Sequence, residues 1–436
     1  LTEHFFQSEK LILLYSIFGA ILLVFSLFFL QHISRFIVLT LLIVGIVCYY
    51  LEEVSLFDAL LGFGENINLL SLFLLIPLIG TFMSSAGYLT ALKEMVQEKE
   101  RKGNQHPYRL SFFLTATIGV LLNFGSMPIV KRIAEESLSA YRDQKLTLTI
   151  MRAFAFGMFW SPYFVNVGLV LVLFNLSWLD ISGYGFILGL IYLLVCWLMF
   201  RKISFPDDPI IEHTHLEKTY LSQQSLVPLL SFSFTLITLS FLLDYLLEVN
   251  MLTIVSILAI ILPICWALGT KVISSYIHDV SEQVQSSFFR LKNEIAIFIS
   301  AGFFGKAISE TEIGATISEM LFQSSFGSVY LLSFSIVILA IILAQIGIHP
   351  IIIVIGIGSA LSPEKFGVSP EYLAMLLLVA WTLATQLSPF SGQVLMASRL
   401  MGKPPKMLII QNIPFVLLLS IILISTIFGL HWFKLL

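Results

Sequence analysis

The chain has 436 residues, 58% hydrophobic and only 12% charged, with a mean hydropathy of +0.94. A soluble fold cannot hide that much apolar surface, so the composition excludes a soluble domain and makes lipid the solvent. The net charge of −3 gives no case for nucleic acid. There is no Walker loop, since Gly302 to Lys306 has the wrong spacing, so ATP-driven pumping by this chain alone is not expected. Cys48, Cys196 and Cys265 sit inside apolar runs and read as small core residues, with no disulfide expected. The first residue is Leu rather than Met, and no cleavable signal peptide is expected.

Residues 11–30 and 36–51 can each span a bilayer, joined by a short link with His32 and Arg35. An acidic stretch (Glu52, Glu53, Asp58, Glu65) precedes a third span at 68–90, and a basic loop at 91–109 carries Lys93, Lys99, Arg101, Lys102 and Arg109. Residues 110–122 make an arm about 20 Å long as helix, against a hydrocarbon core of about 30 Å. That arm is too short to cross, and Lys131 and Arg132 mark a return to the charged side. The expected element is a re-entrant hairpin over 110–130 with its tip at 123–128. A polar segment to Lys145 follows, then a span at 147–176 broken at Ser161 and Pro162, then a span at 183–201.

A polar linker at 201–225 divides the first half, 1–200, from the second, 226–436. The second half repeats the plan: spans at 226–247 and 251–270, a polar loop to Lys292, and a span at 293–309. A hairpin at 327–361, a broken span at 372–398 and a last span at 408–432 complete it.

Local matches support duplication. Leu110-Ser111-Phe112 leads to Gly125-Ser126-Met127-Pro128 as Leu332-Ser333-Phe334 leads to Gly347 through Pro350, at an offset of 222 residues. Ser161 and Pro162 answer to Ser388 and Pro389 at an offset of 227, and Asn68 to Gly80 resembles Asn293 to Gly305 at 225. Each half then holds five transmembrane helices and one re-entrant hairpin. An odd number of spans inverts one half relative to the other. The fold expected is an all-α polytopic membrane protein with two inverted repeats and broken helices at the midplane. The positive-inside rule puts 91–109, 131–146, 201–225, 271–292 and 399–406 in the cytoplasm and 52–67, 177–182 and 310–326 outside, with both termini outside the cell membrane.

Irregular backbone survives at membrane depth only where protein or a water-filled cavity satisfies it, so four breaks in two matched pairs point to a cavity. Each break carries a proline expected at the first position of a new half-helix, with Ser161 and Ser388 as N-caps. Half-helix N-termini, each with a partial charge of roughly +0.5, would together favour an anion. The polar groups near these tips are Asn123, Ser126, Ser161, Asn166, Gln345, His349, Thr385, Gln386, Ser388, Ser391 and Gln393, and all of these except Gln386 form the expected substrate-binding set. His349 is the titratable one and the candidate carrier of a coupling proton. Arg152, about nine residues or roughly 14 Å before Ser161, is expected to snorkel to the cytoplasmic face, and Lys306 to the outer one. Asp244 and Glu294 read as lying near span ends.

Residues 110–130, 147–179, 327–361 and 372–435 contain no Asp or Glu. A cation antiporter needs a buried carboxylate, so their absence favours an anionic or neutral substrate. Coupling sodium, if used, would need backbone carbonyls at the hairpin tips.

The hairpins at 123–128 and 345–350 and the breaks at Ser161-Pro162 and Ser388-Pro389 give the chain an arrangement that resembles the ion transporter superfamily. That group includes divalent anion/sodium symporters, citrate–metal symporters, arsenite permeases and the large membrane subunit of tripartite dicarboxylate transporters. The divalent anion symporters carry Ser-Asn-Thr at both tips, where this chain reads Asn-Phe-Gly-Ser-Met-Pro and Gln-Ile-Gly-Ile-His-Pro. The resemblance implies a homodimer working as an elevator, with 110–176 and 327–398 moving against a scaffold of the remaining spans.

The function expected is secondary active transport of a small anion or organic acid by alternating access, coupled to sodium or protons, with no other cofactor and no resident metal. Its partners would be that anion, membrane lipid and a second copy of the chain. The alternatives are a carrier (flippase) of a lipid-linked phosphate, which a lipid-facing opening would favour, and a cation/proton antiporter of the same fold. An intramembrane enzyme is not expected, because His349 has no nucleophile or metal-ligand partner in sequence. A pore is disfavoured by paired closed hairpins.

Overall fold

In lipid every backbone amide and carbonyl needs a partner within the protein, and long apolar runs meet that need by coiling into helices. A computed structural model describes residues 9–102, 106–212, 225–247, 249–309 and 311–436. Among them nine helices are long and apolar enough to cross a membrane. The protein is a helical, multi-pass membrane protein.

The first half opens with α1 (Glu9–Leu27), α2 (His32–Leu51) and the short α3 (Leu56–Leu61). Then come α4 (Ile67–Leu75) and α5 (Pro77–Ser85), divided where Pro77 cannot donate to the preceding turn. Next are α6 (Tyr88–Arg101), α7 (Pro107–Leu122), α8 (Ser126–Ser137), α9 (Asp143–Phe154), α10 (Val165–Leu173) and α11 (Trp178–Met199). The second half has α12 (Val227–Leu246), α13 (Met251–Gly269), α14 (Ile273–Ser309), α15 (Glu312–Ser324), α16 (Val329–Gln345) and α17 (Pro350–Ala360). It closes with α18 (Pro363–Phe366), α19 (Pro370–Leu387), α20 (Gly392–Met401) and α21 (Pro405–Trp432).

Several segments expected as loops are helical. The basic stretch at 91–109 is mostly α6, because Tyr88, Ala91, Leu92 and Val96 recur on one face and are buried while the charges point away. Residues 103–105 of that stretch lie outside the described residues. The polar loop expected before Lys292 is the first half of α14, a single helix of 37 residues. Most of 310–326 is α15, and between Thr316–Ser324 and Val329–Gln345 the helix axis turns by 111°. Residues 131–146 hold the end of α8 and a strand, β1 (Ala140–Arg142), paired antiparallel with β2 (Ile210–Glu212), so the fold is not purely helical. Of the linker at 201–225, residues 213–224 lie outside the described residues, as do residues 1–8 at the N-terminus.

The ribbon fixes the start of α9. Asp208, in the turn before β2, accepts the backbone N–H groups of Gln144 and Lys145 at 2.9 and 3.0 Å, and its charge favours the positive end of that helix. From there inward the chain is enclosed: every residue of Leu146–Phe154 is buried, as is every residue of Tyr372–Leu387 in α19. Helical segments buried on every side lie in the interior, and these two form the centre. Around them pack α16, α17 and α21, while α14 lies against α1, α2 and α17. Outward faces carry large apolar side chains such as Phe36, Phe234 and Leu417, as lipid contact requires. Cys265 also faces outward, against the core position expected, whereas Cys48 and Cys196 are buried.

Candidate functional site

The stretch Pro107–Ser137 is not one straight rod. Asn123 has φ 49, and a Cβ at Gly119 would lie 3.4 Å from Ser126 Oγ. Seven residues along a straight helix would put those positions about 10 Å apart, so α7 and α8 fold back on each other at 123–125. In the second half α16 and α17 also pack together, joined through Gly347 at φ 101.

Interrupted helices leave carbonyls that protein must satisfy. At the first break, Met158 O accepts from Asn166 Nδ2 at 2.6 Å, Trp160 O from Trp178 Nε1 at 2.7 Å, and Tyr163 O from Asn123 Nδ2 at 3.3 Å. At the second, Thr385 O accepts from Ser391 Oγ and Leu387 O from Gln345 Nε2, each at 2.5 Å. Ser388 Oγ donates to Ala344 O at 2.8 Å, tying this break to the end of α16. Asn123 and Gln345 thus act alike: a side-chain amide at the end of α7 or α16 closes a carbonyl of the break in its own half.

The helices restart later than expected. Ser388 has φ −74 and ψ 124, the extended geometry that a following proline imposes, so it ends α19. Ser391 is the N-cap of α20, accepting Val394 N at 3.2 Å. In the first half α10 begins at Val165 behind Phe164 with no side-chain cap, so neither Ser161 nor Pro162 opens it. Of the four prolines at the breaks, only Pro350 stands first in its helix, capped by His349, whose Nδ1 accepts Ile351 N at 3.2 Å.

Ser126, Ser161, Asn166, Thr385, Gln386, Ser388, Ser391 and Gln393 are buried, Asn123 and His349 half-buried, and Gln345 exposed. Most spend their hydrogen-bonding capacity on backbone: Ser126 Oγ donates to Asn123 O at 2.8 Å and Thr385 Oγ1 to Thr382 O at 3.0 Å. The first tip and the second break do meet, since a Cβ at Gly392 would lie 3.4 Å from the Phe124 ring.

The polar centre lies beside the second break, around a residue expected elsewhere. Arg152 does not snorkel; it is 3% exposed. Its side chain on α9 faces α21, where Nε donates to Asn412 Oδ1 at 2.9 Å and the guanidinium lies 4.0 Å from the centre of the Phe415 ring. Asn412 Nδ2 points to Gln386 O and Oε1 at 3.3 and 3.4 Å. Tyr192 on α11 donates to Arg152 O at 2.7 Å and lies 3.4 Å from Gln386 Oε1. Gln393 Nε2 donates to Met151 O at 2.7 Å. Two buried atoms here make no hydrogen bond within the chain: Arg152 Nη1, a donor, and Gln393 Oε1, an acceptor. Among the described residues no carboxylate lies within ion-pair distance of Arg152. Of the expected binding residues Gln393 belongs to this cluster, with Gln386 from the polar groups near the tips, while Asn412 and Tyr192 were not among either. Their signal was faint: Asn412 is one of two adjacent amides, with Gln411, inside the apolar run of the last span.

A buried cation held on one edge by a neutral amide, with an inward N–H left over, has a charged donor free to meet an acceptor. Among the described residues, no group of three or more His, Cys, Asp and Glu side chains could hold a metal ion. The many apolar helices fit a membrane transporter in general. No protein-family model matches the chain, and no curated protein matches it either.

Proposed function

We propose that the protein is a secondary active transporter for a small anion or organic acid, which binds Arg152 at the junction of the two halves. The observation that carries this reading is the buried Arg152, with Nη1 unbonded and no acid beside it among the described residues. A charge at that depth is costly, about 3 kcal/mol for an arginine at a helix centre. The amide of Asn412 and the ring of Phe415 offset part of that cost. A bound carboxylate or oxyanion would supply the missing charge and acceptor.

Alternating access draws on the repeat. From α4 onward the first half runs through a helix after the third span (α6), a helix pair (α7, α8), a broken helix (α9, α10) and a closing span (α11). The second half has the same order in α14, α15, α16 with α17, α19 with α20, and α21. The amide roles of Asn123 and Gln345, one repeat apart, support inverted repeats with re-entrant hairpins. In this reading the hairpins and broken helices carry the anion past a scaffold in a homodimer, in the cell membrane with both termini outside. His349 or a sodium ion at the tips supplies the coupling. The test is uptake of radiolabelled anions into proteoliposomes, with and without sodium and proton gradients. Uptake of one anion that is lost in Arg152→Gln supports the reading; equal uptake in wild type and variant overturns it.

A further inference from the structure

A cavity of about 740 Å³ opens on the outer surface between the start of α7 and the end of α11, well apart in sequence from the breaks. Its walls are apolar and its mouth faces outward: Phe113, Leu194 and Trp197 line it and are 58%, 54% and 71% exposed. In a membrane protein such a face meets acyl chains rather than water. The lining also carries His106, Arg109 and Arg201, and among the described residues no carboxylate lines the cavity. Behind the aromatic wall stands Lys145, with Nζ 4.4 Å from the centre of the Phe200 ring and the Asp208 carboxylate as its neighbouring counter-charge. Arg109 and Arg201 both belong to the basic segments that the positive-inside rule assigns to one side, where anionic headgroups are attracted.

We propose that this groove binds an anionic membrane lipid, its headgroup phosphate between Arg109 and Arg201 and one chain along Phe113, Leu194 and Trp197. Charge complementarity selects the occupant: a zwitterionic headgroup brings its own cation to a cluster that already holds two arginines. The deep end of the groove is Cys196, one helical turn along α11 from Tyr192, which holds the Arg152 carbonyl. A lipid seated there therefore braces the helix that frames the central cluster. The site is independent of the transport reading and stands or falls separately.

Trp197 provides the test. Full-length protein is reconstituted with phosphatidylglycerol or phosphatidylcholine brominated on the acyl chains, and Trp197 emission is isolated as the difference between wild type and Trp197→Phe. Brominated phosphatidylglycerol should quench Trp197 with about ten-fold higher relative affinity than the choline lipid, as two arginines near a headgroup imply. Arg109→Gln with Arg201→Gln should reduce the two lipids to parity. Equal quenching by both lipids in the wild type would reduce the groove to ordinary annular contact and overturn the proposal. A thermal shift given by glycerol phosphate alone, equal to that of the whole lipid, would make it a soluble-phosphate site and also overturn it. Exclusion of both quenchers by a dimer that native mass spectrometry detects would put a second copy in the groove instead. Should the double variant fold poorly, the wild-type lipid preference still decides.

Discussion

Arg152 Nε donates to Asn412 Oδ1 at 2.9 Å across 260 residues of sequence, joining the broken helix of the first half to the last helix of the second. The bond fixes one edge of the guanidinium and leaves Nη1 facing inward without a partner in the chain. The geometry separates two roles. A structural arginine would be saturated; a binding arginine is oriented by one contact and keeps another free.

Replacing Arg152 by Gln, which can still donate to Asn412, should change stability without ligand by no more than about 1 kcal/mol, because no ion pair is broken. The same change should abolish stabilisation by the transported anion, which at a hundred times its dissociation constant is worth about 2.7 kcal/mol. Thermal unfolding in detergent, with and without anion, reads both. Arg152→Lys should not restore binding, since one ammonium cannot hold Asn412 and present a second fixed donor. A large loss of stability in the absence of ligand would mark Arg152 as structural.

Asn123 and Gln345 should behave as a matched pair. Each replacement by Ala leaves a carbonyl of the break, Tyr163 O or Leu387 O, without its side-chain donor, and should cost about 1–3 kcal/mol. Gln345→Glu, which cannot donate from an ionised carboxylate, should cost at least as much. Equilibrium unfolding in mixed micelles measures it. If both Ala variants matched wild type in stability, their hydrogen bonds to the breaks would carry no weight.

Gly185 lies where α11 crosses the turn at 155–159. A Cβ there would sit 2.2 Å from Phe159 O and 3.2 Å from Trp160 Cα, both backbone atoms that cannot move aside cheaply. Gly185→Ala should therefore destabilise by about 3 kcal/mol or more and lower folded yield, although alanine is the better helix former. Size-exclusion yield and the unfolding midpoint check it; a wild-type midpoint would contradict the close approach.

His349 accepts Ile351 N through Nδ1, so the neutral ring carries its proton on Nε2. Protonation of Nδ1 would remove the cap of α17. His349→Asn keeps a side-chain acceptor and should retain stability, whereas His349→Ala should lose about 1 kcal/mol. If His349 carries the coupling proton, His349→Asn should also flatten the pH dependence of uptake. An unchanged profile would assign coupling elsewhere.

The breaks were legible because Ser, Pro and Gly interrupt apolar runs that lipid otherwise demands, and both were found within a few residues. The exact caps were not. Whether Ser388 ends one helix or starts the next depends on the ψ that Pro389 imposes on it, and on Ser391 three residues further along. The amphipathic helices α6, α15 and the first half of α14 read as loops because their dense charge masks the spacing; Tyr88, Ala91, Leu92 and Val96 hold the helical period. Arg152 could not be placed from its neighbours at all. A lone arginine in an apolar run snorkels or is buried according to what faces it, and Asn412 and Phe415 face it from the far end of the chain.

The most direct test is calorimetric titration of purified wild type and Arg152→Gln with a panel of small carboxylates and oxyanions. The account predicts saturable binding of at least one anion to wild type and none to the variant, with the two proteins equally folded. Anion binding that survives in Arg152→Gln, or its absence across the panel in wild type, would contradict it.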